Sequence, residues 1–534
     1  MKILLIVPRY NFTNKVDYQY VFPLGLAYIT AVVKKEGYDL ECINLNHFSG
    51  TIESIINDKF KEKQYDIVLT GHIGVGYEII EKIIKSIKSI SSDIKIIVGG
   101  SLVTCEKELM LESLGHDFSV LGEGEKTIIE LLDSIQNKKP LENVNGIGYK
   151  DNSGKLIFTK PRDLILDLDS LPFPDFESLD YLKYLDNQTS SSNYFITDYP
   201  RAYPIICSRG CPNQCTFCYH SIGFRYRMRS LDNIFSELSI VIKKYNINSI
   251  EINDDLFSLN RARLYEFCNR IKSLSNNGEP ITWSCQLMVN NLDIELLKTL
   301  KDAGCNVVSF GFESYNKDVL KSMKKPITPE QIDHAIKLSM EANMGIQGNF
   351  IFGDVAETKE TAKETLDYWK KECKGQLRLL FIQPYPGSEI YNMCIKKGII
   401  KDKLDFIKNH MNHINWFNMT SNMTDQEVMD LKKEILRLRT KYYPYVIPSS
   451  LTKIKDNRYS INSTCPYCKT LTSYKNCAIE NKIHYNLGVT CRKCFMRYFI
   501  VSRISKFEMD YYNELEFLRK NYLFIRDKLR KTKM

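Results

Sequence analysis

The chain has 534 residues, 43% of them hydrophobic and 26% charged, with a formal net charge of +9. That length exceeds one ordinary domain and predicts three or four, and the composition excludes a disordered or fibrous chain. The charge is modest for the size and hints at an anionic partner without establishing one. No stretch approaches the roughly 18–20 apolar residues of a membrane span, and no small-residue cleavage site follows "MKILLIVPRY". A soluble, cytoplasmic protein is expected, in which sixteen cysteines serve as metal ligands or redox groups rather than disulfides.

Residues 1–150 alternate strand and helix signals. "KILLIV" is a continuous apolar run, as a strand buried on both faces requires. It is followed by the helical pattern "PLGLAYITAVVKKEGY", which stops at Gly37. Strands are expected at "LECINL", "DIVLTGHIG", "KIIVGGS" and "FSVLGEGE", separated by amphipathic helices. Repeated β-α units predict a doubly wound, Rossmann-like parallel sheet, whose ligands bind beyond the carboxyl ends of the strands. Those ends carry Pro8, Arg9, Thr70, Gly71, His72, Gly74, Gly99, Gly100, Ser101, Gly122, Glu123 and Gly124, a backbone-lined crevice with little acid–base chemistry. "GHIGVG" lacks dinucleotide-fold spacing and "GEGEKT" lacks phosphate-loop spacing, so both read as structural turns.

Residues 151–200, with "DLDSLPFPDFESLDY", read as a connector on the surface between domains. From 201 to 400 the β-α alternation resumes with six strands, from "YPIICSRG" to "QLRLLFIQPYPG". This predicts a partial or full β/α, TIM-like barrel with its chemistry at the carboxyl strand ends. Residues 401–455 read as helical, 456–500 as a cysteine-punctuated ribbon and 501–534 as a basic terminal helix.

Two cysteine groups stand out. In "CSRGCPNQCTFCYH", Cys211, Cys215 and Cys218 form C-x₃-C-x₂-C directly after a strand, while Cys207 at the strand end reads as a packing residue. Three thiolates hold three irons of a cubane and leave the fourth open, the mark of a catalytic site. Further on, Cys465, Cys468, Cys491 and Cys494 make two C-x₂-C knuckles with 22 residues between them. Four thiolates with no open position predict a structural zinc site, with an auxiliary iron site as the alternative; Cys477 reads as spare and His484 as a possible substitute ligand.

The C-x₃-C-x₂-C loop, with Phe217 before its third cysteine, resembles the radical SAM superfamily. "INDDLF", "FGFES", "GNFIFGDVAET" and "QPYPGSEIY" extend the resemblance over residues 201–390. It implies a [4Fe–4S] cluster on Cys211, Cys215 and Cys218, and an S-adenosylmethionine (SAM) site with Phe217, Asp254, Asp255, Glu313, Ser314, Gly348 and Gly353. A doubly wound domain ahead of the barrel, with "VGGS" and "LGEGE", is similar to the cobalamin-binding subgroup. Thr70, Gly71, His72, Gly99, Gly100, Gly122, Glu123 and Gly124 are then the expected cobalamin contacts. There is no D-x-H-x-x-G motif, which that subgroup generally lacks as well. The fold class implied is α/β: a cobalamin-binding domain, a radical SAM barrel, then a small helical and Cys₄ ribbon region.

The implied activity is reductive cleavage of SAM to a 5′-deoxyadenosyl radical and methylation of an unactivated carbon in a small molecule or peptide. A flavodoxin or ferredoxin is the implied electron donor. No general base stands out, and Cys285 and Tyr385 are unranked candidates. The rival with the same cofactors is a cyclase or rearrangement enzyme. A methylthiotransferase acting on RNA or protein needs three further cysteines in the first domain, where only Cys42 and Cys105 occur. A non-catalytic scaffold binding nucleic acid or a carrier protein through the ribbon and basic tail predicts binding that weakens steeply with salt.

Overall fold

A computed structural model gives the fold; it describes residues 1–511 apart from 12, 72–75, 191–195, 221, 258 and 412–417. The first apolar run forms β1 (Lys2–Val7), in which no residue from Ile3 onward is more than 2% exposed. Burial on both faces requires helices on both sides. β2 (Asp39–Asn44), β3 (Ile67–Gly71), β4 (Lys95–Gly99) and β5 (Phe118–Val120) join it in the order β2-β1-β3-β4-β5, all parallel. The order reverses between β1 and β3, which opens a crevice at their carboxyl ends.

The crossover helices are α1 (Leu24–Lys35), α2 (Ile52–Glu62), α3 (Tyr77–Ile90), the short α4 (Ser101–Cys105) and α5 (Lys107–Ser113), and α6 (Gly124–Asn137). Gly37 ends the first at φ +81°, as the sequence predicts. Two strands that sequence periodicity does not reveal, β6 (Ile147–Lys150) and β7 (Leu156–Phe158), extend the sheet antiparallel beyond β5. At three or four residues each they are too short to show alternation.

The segment expected on the surface between the two sheets carries their seam instead. Phe176, Leu179 and Tyr181 are at most 1% exposed. The Phe176 ring lies 4.7 Å from Tyr181 and 4.8 Å from Tyr203, and the Tyr181 hydroxyl donates to the Ala202 carbonyl at 2.5 Å. Aromatic burial of this kind outweighs the acidic composition that suggested exposure.

The second sheet contains β8 (Ala202–Ile205), β9 (Ser249–Ile252), β10 (Thr282–Gln286), β11 (Cys305–Glu313), β12 (Gly345–Phe352) and β13 (Arg378–Phe381). They run in sequence order, all parallel, from β8 at one edge to β13 at the other. Among the described residues the edges do not pair with each other, so the barrel is partial. Between β8 and β9, Ser230 caps the helix Leu231–Tyr245, its Oγ accepting from the Asn233 amide at 3.1 Å.

After the helix Asp425–Tyr442, two three-stranded sheets form the ribbon: β14 (Tyr445–Val446) with β18 (Asn486–Thr490) and β19 (Arg497–Val501), and β15 (Ser450–Lys455) with β16 (Arg458–Thr464) and β17 (Leu471–Ala478). The ribbon has its own hydrophobic cluster around Ile461, Tyr474, Val489 and Tyr498. It docks on the amino ends of the barrel strands. Just before β13, the Gln376 side chain donates to the Arg497 carbonyl at 2.9 Å and accepts from the Arg497 amide at 2.8 Å. Lys301, ahead of β11, lies 5.1 Å from the Phe495 ring centre. The terminal helix begins at Arg503–Asp510; the rest of the expected basic helix lies outside the described residues. Among those residues no helix is long and apolar enough to cross a membrane.

Candidate active site and metal centres

The carboxyl ends of β1, β3, β4 and β5 open on a cavity of about 530 Å³. Thr70, Gly71, Gly99, Gly100, Gly122, Glu123 and Gly124 all line it. His72 and Gly74 lie outside the described residues. The Thr70 hydroxyl is turned back onto the Ile6 carbonyl at 2.9 Å, so it shapes the wall rather than offering a free donor. Tyr10, Tyr20, Phe22 and Tyr28 add an aromatic wall that sequence reasoning missed; two of the four, Tyr20 and Phe22, stand together in "DYQYVF". The opposite wall comes from the barrel: Ile206, Ser208, Arg209, Tyr219, Asn253 and Asp255.

These residues suit a large cofactor with broad apolar faces and a polar rim, held between two domains. The strand-end wall is glycine-rich backbone. Gly122 sits at φ +74°, and a Cβ there would meet no atom within 4 Å, so the bare backbone leaves room for a ligand to approach.

The barrel side of the cavity carries the cysteine loop. Ser208–Arg209 pairs antiparallel with Arg227–Met228 and closes the base of the loop. Cys215 is buried, Cys211 half-buried and Cys218 exposed. The loop is pinned from below, with the Thr216 amide donating to the Met323 carbonyl at 3.0 Å and the Ile390 amide to the Thr216 carbonyl at 2.9 Å. Phe217 packs on the hydrophobic cluster that contains Ile390 and Tyr391.

The expected SAM residues divide. Asp255 lines the cavity, and burial raises its carboxyl. Asp254 does not line it: its carboxylate accepts from the Cys207 amide at 2.7 Å and the Ser208 hydroxyl at 2.6 Å, and burial pushes its pKa up to about 7. Glu313 sits at φ +63° and bonds Lys325 at 2.9 Å. Ser314 is turned away, within 3.3 Å of the Thr365 hydroxyl. Gly348 serves packing, since a Cβ there would lie 2.8 Å from the Phe312 ring. Gly353, at φ +97°, donates its amide to Glu357 at 2.5 Å. Cys285 is a buried core residue, whereas the Tyr385 ring lies 5.9 Å from that of Tyr219, beside the loop.

Lys325 is the main residue that the sequence reading missed. Burial works against its charge, but Glu313, Cys215 and Cys218 more than reverse this and raise its pKa. A half-buried cation at this point offsets the negative charge of any thiolates on the loop. Nothing in "MKKP" singles out Lys325 over Lys324, which pairs instead with Glu389 at the surface.

In the ribbon, Cys465, Cys468, Cys491 and Cys494 bring their sulfurs within 4.8 Å of one another. Cys465 and Cys494 are 3.7 Å apart, and Cys468 and Cys491 3.6 Å. Cys477 is not in this group: it is buried against the Ser190 hydroxyl at 3.2 Å. Nor is His484, whose ring faces Glu508 at 3.4 Å. The four-thiol site lies at the opposite end of the barrel from the cysteine loop.

A domain fold with its cavity at a strand-order reversal, joined to a partial barrel with a three-cysteine loop, defines a cofactor enzyme of two cooperating domains. Residues 12–132 match the B12 binding domain and residues 205–368 the radical SAM superfamily. The chain belongs to the radical SAM superfamily, in its cobalamin-binding subgroup, whose cofactors are a [4Fe–4S] cluster, SAM and cobalamin. It is 31% identical over 468 residues to the uncharacterized methyltransferase PH0819 of Pyrococcus horikoshii, covering 85% of this chain and 94% of that protein. It is 25% identical over 471 residues to the anaerobic magnesium-protoporphyrin IX monomethyl ester cyclase of Rubrivivax gelatinosus, covering 86% and 80%. In fold it is similar to the radical SAM methyltransferase TsrM of Kitasatospora setae, with a TM-score of 0.61 at 18% identity over 74% of this chain and 76% of that one.

Proposed function

We propose that the protein is a C-methyltransferase acting on an unactivated carbon of a small molecule or peptide. The observation that carries this reading is the single cavity in which the cobalamin-side glycines and the cluster-side Asp255 and Tyr219 face each other. When bound, the cluster with SAM supplies a 5′-deoxyadenosyl radical and cobalamin carries a methyl group for transfer. The chain's own residues hold and orient these groups. Cys211, Cys215 and Cys218 are assigned to the cluster; Asp255, Glu313 and Lys325 to SAM and the charge around it; and Thr70, Gly71, Gly99, Gly100, Gly122, Glu123 and Gly124 to cobalamin. The aromatic wall of Tyr10, Tyr20, Phe22 and Tyr28 excludes water from the reacting carbon.

We assign zinc to Cys465, Cys468, Cys491 and Cys494, with a purely structural role, because the site is closed and remote from the cavity. A flavodoxin or ferredoxin is the expected electron donor and the reducing cytoplasm the expected location.

Similarity to the ester cyclase favours a second reading, ring closure or rearrangement without methyl transfer. One experiment separates the two. The protein is reconstituted anaerobically with iron, sulfide and hydroxocobalamin, desalted, and assayed with SAM and a low-potential reductant against candidate substrates. One cobalamin and one four-iron cluster per chain, with a product one methyl group heavier, is the expected result. A product lacking that added methyl group favours rearrangement, and a cluster without cobalamin overturns both readings.

A further inference from the structure

The two strands that close the base of the cluster loop place Arg209 directly opposite Arg227. Like charges facing each other across a strand pair repel, and these are buried, their side chains only 10% and 3% exposed. The countercharge comes from the other domain. Glu123, in the turn between β5 and α6, accepts from Arg209 at 2.8 Å and from Arg227 at 2.9 and 2.7 Å. Its second oxygen also accepts from the Ile165 amide at 2.8 Å. Glu125, on the first turn of α6, accepts from Arg209 at 2.6 Å. Two guanidiniums thus meet two carboxylates, and the buried charge sums to zero. The two sides of the base approach closely, since a Cβ on Gly210, at φ +82°, would lie 2.5 Å from the Arg225 carbonyl oxygen. Cys211 follows immediately. Glu123 and Arg209 both line the cavity.

We infer that Glu123 is a positioning residue whose carboxylate closes the base of the cluster loop, so that the turn lining the cobalamin cavity and the loop carrying the cluster cysteines shift as one unit. The inference rests on the cobalamin reading above and adds a consequence that reading lacks. Binding at the two cofactor sites is thermodynamically coupled, and the coupling is reciprocal. Removing the Glu123 carboxylate leaves Arg209 with Glu125 alone and takes from Arg227 its paired carboxylate, and the coupling is lost with the closed base.

The test uses the full chain in two anaerobic preparations, cluster-free and cluster-reconstituted, each titrated with hydroxocobalamin by equilibrium dialysis. The wild type is expected to bind about tenfold more tightly or better with the cluster present. In Glu123→Gln this ratio is expected to fall toward one, while Glu123→Asp keeps part of it. Circular dichroism checks that each variant is folded, and Glu125→Gln, with a smaller fall in the ratio, replaces Glu123→Gln if that variant does not fold. A wild-type ratio of one, or a folded Glu123→Gln that keeps the wild-type ratio, overturns the inference and leaves the cobalamin reading intact. Failure of the wild type to bind hydroxocobalamin in either preparation overturns both.

Discussion

In the ribbon, four sulfurs from two knuckles of one small β unit converge within 4.8 Å. The three cysteines of the cluster loop lie on a single segment, and the groups around them, Glu123, Glu125, Asp255, Glu313 and Lys325, come from two domains. The ribbon contacts the amino ends of the barrel strands through Gln376 and Lys301, and the loop opens at their carboxyl ends. A site complete within one local unit resists change and stabilises the fold. A site assembled from distant segments keeps an open position and gathers charge from all sides, as chemistry at a barrel mouth requires.

The largest effect that tests this contrast is loss of a loop thiol. Cys211→Ala, Cys215→Ala and Cys218→Ala should each lower formation of 5′-deoxyadenosine from SAM on the order of 10³-fold or more. The fold should survive, because the loop base is held by the arginine and glutamate contacts and not by the metal. Cleavage measured by chromatography at the wild-type rate in any of the three would remove that cysteine from the site.

A ribbon thiol should give the opposite pattern. Cys465→Ser should lower the first thermal transition by roughly 10 °C, with the zinc released, yet folded protein should keep its cluster absorbance and its SAM cleavage. Loss of the cluster absorbance instead would mean that the ribbon carries iron or supports the loop directly.

The contrast also marks what the sequence makes legible. C-x₂-C pairs and C-x₃-C-x₂-C are local patterns, so candidate ligand sets can be picked out before any fold is known. "KILLIV" and its successors expose the parallel sheet because burial on both faces leaves continuous apolar runs. What sequence does not reveal is direction and distance. Asp254 and Asp255 are neighbours just past a strand end, yet Asp254 turns back onto the Cys207 amide and only Asp255 reaches the cavity. Glu123 and Arg209 are 86 positions apart, and "GEGEKT" alone reads as a turn rather than as the countercharge to a distant loop. Lys325 is distinguished from Lys324 only by the fold. The aromatics of "FPDF" look exposed amid their acids, yet Phe176 is 1% exposed at the seam.

The smallest effect concerns a buried carboxyl group at the barrel mouth. Glu357 is 1% exposed, and burial, with a smaller contribution from Asp354, pushes its pKa up to about 8 from 4.5. Between those values the native chain holds a proton that the unfolded chain has released. The unfolded state therefore binds fewer protons, and stability falls as pH rises from about 4.5 to about 8. Glu357→Gln keeps an acceptor for the Gly353 amide and never ionises, so this part of the pH dependence should vanish. At pH 5 the two proteins should melt together, and at pH 8 the variant should be more stable by about 1–3 kcal/mol. Asp254, raised to about 7, titrates in the same window but contributes equally to both proteins, so the difference between their melting curves isolates Glu357. Parallel pH profiles would mean that Glu357 is ionised in the folded chain and is stabilised there by a partner such as a bound cation.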